Sequence, residues 1–151
     1  MDYSHTERLA KLIQLKHDVL AQLWELARRQ VDVIAADEVD RLMSLLAQKQ
    51  TLLNQLQRVE VVLDPFRSDD PEARLWKSPE DRRRCQVVAE RANALLQQLV
   101  LLEKQSEGQL VQSRDHTARE LAAASSAFAA RQAYVAAPNA SHQGLDLMSE
   151  T

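Results

Sequence analysis

Ser78-Pro79-Glu80-Asp81 opens the stretch that decides the fold, a run from Ser78 to about Tyr134 that contains no proline until Pro138. Ser78 is suited to cap the first free N–H groups of a helix, Pro79 has the fixed φ of a first helical position, and the two carboxylates meet the positive end of the helix dipole. The pattern predicts one helix of about 57 residues, a rod of about 85 Å at ~1.5 Å per residue. No other segment matches that reach. A helix that outruns its own partners calls for another one.

The rest of the chain agrees with an all-α protein. With Gly 2 and Pro 4 in 151 residues, it lacks the residues that tight β turns demand, while Ala, Leu, Gln, Glu and Arg favour helix. Aromatic content is 4%, so apolar surface is expected in Leu/Ala seams between rods rather than in a bulky core. The expected architecture is an elongated antiparallel bundle or coiled coil of three helices. Residues 1–137 form the bundle, with helices at about 4–35, 38–63 and 79–136, a linker at 64–78 and a flexible tail at 138–151.

Taken in order, Ser4 and Glu7 have the spacing of a capping box, with Thr6 as a lesser cap. Leu9, Leu12, Ile13, Val19, Leu20, Leu23, Leu26, Ala27, Val31 and Ile34 then recur at helical steps, and Lys16 and Gln30 make that seam partly wet. Trp24 either widens the stripe or serves as an anchor for a partner. Asp37, with Asp40 three residues on, reads as the N-cap of a second helix, although a continuous helix through Asp37 is the alternative. The second stripe is Val39, Leu42, Leu45, Leu46, Leu52, Leu53, Leu56, Val59 and Leu63. Pro65 should stop that helix at Asp64. In the linker, Asp70-Pro71-Glu72-Ala73-Arg74 has the cap-then-proline order of a single helical turn. Phe66, Leu75 and Trp76 are too apolar for a free loop, and are expected to plug one end of the bundle or to form an exposed docking site.

The long helix has two unlike halves. Cys85, Val88, Ala92, Leu95, Leu99 and Leu102 follow the alternating steps of a coiled-coil seam. Residues 103–109 hold no large apolar side chain, and Gly108 marks a bend, a frayed turn or the bundle's edge. Beyond them Leu110, Thr117, Leu121, Ala124, Phe128 and Val135 resume the stripe one residue out of phase. That half is rich in alanine and buries little by itself. Packing on the protein's own first helix and cover by a partner are both open. In the tail, Leu145, Leu147 and Met148 follow the breaker cluster Pro138 to Gly144 and are either a motif that folds on binding or inert.

Chemistry is sparse. A net charge of −3 with signs interspersed leaves no footprint for nucleic acid. The cluster Arg82-Arg83-Arg84 is either a self-compensated helix start beside Glu80 and Asp81 or a patch for an acidic partner. Cys85, the one cysteine, permits no internal disulfide and falls on the apolar seam. His5, His17, His116 and His142 have no metal-ligand spacing, and no carboxylate is expected to face His17. No phosphate-cradling loop or nucleophile elbow is present. We therefore expect no enzymatic activity, no cofactor, no metal and no membrane insertion. The first residues lack a signal peptide's basic and apolar regions, so a cytoplasmic location is expected.

Three local motifs, taken in order, make the chain from Leu9 to Ala137 resemble the FlgN-type flagellar export chaperones. Asp40-Arg41-Leu42 leading to Gln48-Lys49-Gln50-Thr51-Leu52-Leu53 is similar to the family's stretch in which a lysine precedes paired leucines. Gly108-Gln109-Leu110-Val111 resembles its mid-helix Asn-Gly-x-Leu segment, with Ser106 and Glu107 in place of the asparagines. Tyr134-Val135-Ala136 resembles its tyrosine before a flexible tail, with Val135 where a glycine often stands. The resemblance implies a cytoplasmic chaperone for the hook-associated proteins of the hook-filament junction. Leu110, Thr117, Leu121, Ala124 and Phe128 would then hold a C-terminal helical segment of the substrate, and Tyr134 would dock on export gate or ATPase components. The alternative is a structural coiled-coil part of a secretion apparatus, or another homo-oligomeric helical adaptor.

Overall fold

The computed structural model describes residues 2–136, and among them every regular element is helical. Three α-helices, α1 (Ser4–Ala35), α2 (Val39–Arg67) and α3 (Pro79–Ala136), are joined by a two-way turn and by a linker carrying one 3-10 turn, Pro71–Ala73. The chain divides into two compact units at Gln109/Leu110, a boundary that falls inside the 1–137 bundle expected from sequence.

The first unit is a three-helix bundle. α3 begins as its sequence dictates: the Ser78 hydroxyl accepts from the Asp81 N–H at 3.1 Å, with Pro79 at the first helical position. The start of α1 departs from the expected capping box. Asp2 accepts from the Ser4 N–H at 2.9 Å, while the buried Thr6 hydroxyl donates to the Leu75 carbonyl at 2.7 Å and ties the helix to the linker.

Asp37 also plays the opposite role from the one its sequence position suggests. It sits at φ 57, in the left-handed region, with its N–H donating to Ile34 O and that of Glu38 donating to Val33 O. This is a Schellman termination of α1, and α2 starts without a side-chain cap. α1 and α2 are therefore separate helices. α2 runs past the expected stop at Asp64 to Arg67, with Pro65 inside its last turn. The physical reason is Phe66, buried against the lower cluster. Burying such a side chain is worth about 1.5–3 kcal/mol. The bond Pro65 cannot make is that to the carbonyl of the exposed Val61.

Two apolar clusters fill the bundle. The lower one joins Leu9, Val59, Leu63, Phe66 and Cys85, with Trp76 packed against it. Phe66 and Trp76 thus form the expected plug, whereas Leu75 is exposed and is corrected from that set. Burial pushes the Cys85 thiol up from its ordinary 9.0, against the pull of the Arg74 charge. The central cluster joins Val19, Leu20, Leu23 and Ala27 of α1 to Ala92 and Leu99 of α3, flanked by Leu52 and Leu56 of α2.

Above them lies a polar layer. Lys49 donates to the 3% exposed Gln30 at 2.6 Å and also pairs with Glu103, linking α2 to both other helices. The next seam positions toward the boundary are polar too. Ser106 is 2% exposed, and its Oγ and Gln109 Oε1 are buried without a protein partner. α3 continues through Gly108 without a break, so of the three readings of residues 103–109 the edge of the bundle is the one that holds.

Candidate functional site

Along Leu110–Val135 of α3 an uninterrupted helix carries its apolar residues on the outside. The segment holds helical form through its alanines, which lose least on entering a helix, and through the His116–Glu120 pair at 3.0 Å one turn apart. Helix geometry at 3.6 residues per turn puts Leu110, Thr117, Leu121, Ala124, Phe128 and Val135 within an arc of about 60°. All six are exposed, Leu121 at 64% and Phe128 at 50%.

The face has the spacing of a helix-packing stripe. Its apolar positions alternate at three- and four-residue steps, and the small residues around Ala124 allow close approach of another backbone. Arg114 and Arg131 border the arc on its two sides, offering cations to a partner's carboxylates. Arg114 meets Asp115 only at 3.6 Å. Tyr134, 86% exposed, falls about 120° away from Phe128 at the same pitch. The five residues expected to hold a partner helix share one face. Tyr134 belongs to another.

No group of three or more His, Cys, Asp or Glu is placed to hold a metal ion among the described residues. His17 does meet a carboxylate, contrary to expectation, because Asp18 next to it swings back to 3.2 Å. Asp18 is exposed and its carboxyl is held below the usual carboxylate range by His17 and Gln14. His5 likewise pairs with Asp69 at 2.7 Å and stacks on Phe66. His142 and the Leu145–Met148 motif lie outside the described residues, as does the whole expected tail at 138–151. No described helix is long and apolar enough to cross a membrane.

Sequence reasoning missed two features of the first unit. One is the Gln30–Lys49–Glu103 layer, whose members are too far apart in sequence to suggest one another. The other is a cleft of about 590 Å³ between α1 and the start of α3, lined in part by Trp76. Its signal was present in the apolar Trp76 within a linker. Comparison with protein-family models, with curated proteins and with solved structures returns no match.

Proposed function

We propose that the chain is a cytoplasmic type III flagellar export chaperone that binds hook-associated junction proteins, prevents their premature assembly and delivers them to the export gate. The observation that carries the reading is the exposed, helically spaced face of Leu110, Thr117, Leu121, Ala124 and Phe128 on a segment that contributes nothing large to a core. An amphipathic substrate helix laid along that face buries apolar area for both partners, in the helix-in-groove mode, with anchors one turn apart. The motifs around Lys49, Gly108 and Tyr134 add the family resemblance. Tyr134, on a separate face, is free to meet the export machinery while the substrate is held, and offers an aromatic ring with a polar tip.

No catalysis is involved. The chaperone's work is differential binding: it covers a surface on the substrate that would otherwise assemble. Capture of the C-terminal helical segment of a hook-filament junction protein tests the reading directly. Phe128→Ala and Leu121→Ala are expected to weaken capture at least tenfold, about 1.4 kcal/mol, with the melting of the first unit unchanged. Capture that ignores both substitutions removes the site. A wild-type protein that is instead a permanent homodimer through Leu110–Val135 makes it a structural adaptor.

A further inference from the structure

The cleft between α1 and the start of α3 has an apolar floor and a cationic rim. Ala10 of α1, Trp76 of the linker, and Val87 and Val88 of α3 form the floor. Lys77, Arg83, Arg84 and Arg91 surround it, against two carboxylates, Glu7 and Asp81. Arg84 is engaged by Asp81 at 2.8 Å, and Arg82 outside the cleft by Glu72 at 3.2 Å. Lys77, Arg83 and Arg91 have no carboxylate partner among the described residues and are exposed. On a chain of net charge −3, this is a local excess of unpaired positive charge beside an apolar slot.

We infer that this cleft is a docking site for a short acidic segment of a partner protein, one that seats a large apolar side chain against Trp76 and Val87 and sets carboxylates on Arg83 and Arg91. The arginine cluster is thus divided: Arg82 and Arg84 are paired with Glu72 and Asp81, and Arg83 is left without a carboxylate among the described residues. The volume falls within the range of about 300–1,000 Å³ of clefts that take small ligands, which are mostly apolar with a few placed polar groups, and is roomy enough for a large side chain with its neighbours. Charge complementarity, with the cations of the cleft outnumbering its carboxylates Glu7 and Asp81, fixes the sign of the partner and raises its rate of encounter. A concave slot suits an inserted segment; a bilayer surface takes a helix's protruding apolar face instead. The site lies wholly within the first unit and holds whether or not the chain serves export.

Fluorescence anisotropy with three labelled peptides tests it. The first is a twelve-residue peptide of Asp, Glu, Leu and Phe; the second has Asn and Gln in place of the carboxylates; the third has Lys there. The full chain should bind the acidic peptide at least tenfold more tightly than the amide twin, with affinity falling as salt rises. The double variant Arg83→Glu, Arg91→Glu changes two exposed residues of α3. It should keep its circular dichroism melt, lose that preference and gain one for the lysine peptide. Val87→Ala should weaken all three peptides, and Phe128→Ala none. Equal binding of acidic and amide peptides, no binding of the acidic peptide at ~1 mM, an unaltered preference in the double variant, or binding only to phosphatidylserine vesicles would each overturn the assignment.

Discussion

The two halves of α3 are built from the same helix and treat their apolar residues in opposite ways. From Cys85 to Gln109 the buried or half-buried positions include Cys85, Val88, Ala92, Leu95, Leu99, Leu102, Ser106 and Gln109, a three-four alternation directed at α1 and α2 and flanked by the half-buried Ala89 and Glu103. From Leu110 to Val135 the apolar line steps to the next residue, and no large side chain on it is buried. A helix turns 100° per residue, so a shift of one position ends the continuous line of the seam. The lesson is that a heptad pattern marks an apolar face, and only the structure tells whether the chain itself covers it.

Stability should separate the halves most sharply. Leu99→Ala, at a position with 7% exposure in the central cluster, is expected to cost about 2–5 kcal/mol in urea unfolding. Leu121→Ala should stay within about 0.5 kcal/mol. A large cost at Leu121 would erase the contrast between the halves.

A smaller effect is expected where the first seam turns polar. Lys49→Ala strands Gln30 Oε1 and leaves Glu103 without its cation. The expected cost is about 1–3 kcal/mol, held to that range because Glu103 is 40% exposed and water screens it. Lys49→Met, which fills the space without the charge, should recover part of it. If Met is as costly as Ala, the layer contributes through its ion pair rather than through filled volume.

The smallest change is a gain. A Cβ at Gly108 meets nothing within 4 Å, and the residue has no positive φ. Gly108→Ala should therefore stabilise the helix by about 0.5–1 kcal/mol, seen as a higher melting temperature. Destabilisation would mean that the helix opens at Gly108 in solution.

How far this was legible from sequence differs by feature. Helix count and the face of Leu121 and Phe128 follow from periodicity, which is local. Asp37 was recognisable as punctuation, yet an aspartate is at home both in an N-cap and in the left-handed position that closes α1, and only the backbone decides between them. At Pro65 the local rule predicted a stop, and a long-range contact of Phe66 overrode it. Lys49 stood out in a motif without a reason, because its partners Gln30 and Glu103 are 19 and 54 residues away. The exposed face itself could be read.

Amide hydrogen exchange across Leu110–Val135 tests the central claim most directly, measured on the protein alone and with the C-terminal helical segment of a hook-filament junction protein. A face completed by a partner should exchange fast alone, since few tertiary contacts hold that helix, and slow down on addition of the segment, while the Leu20 and Leu23 region is slow in both. Slow exchange of Leu110–Val135 in the protein alone, unchanged by the segment, would contradict the account.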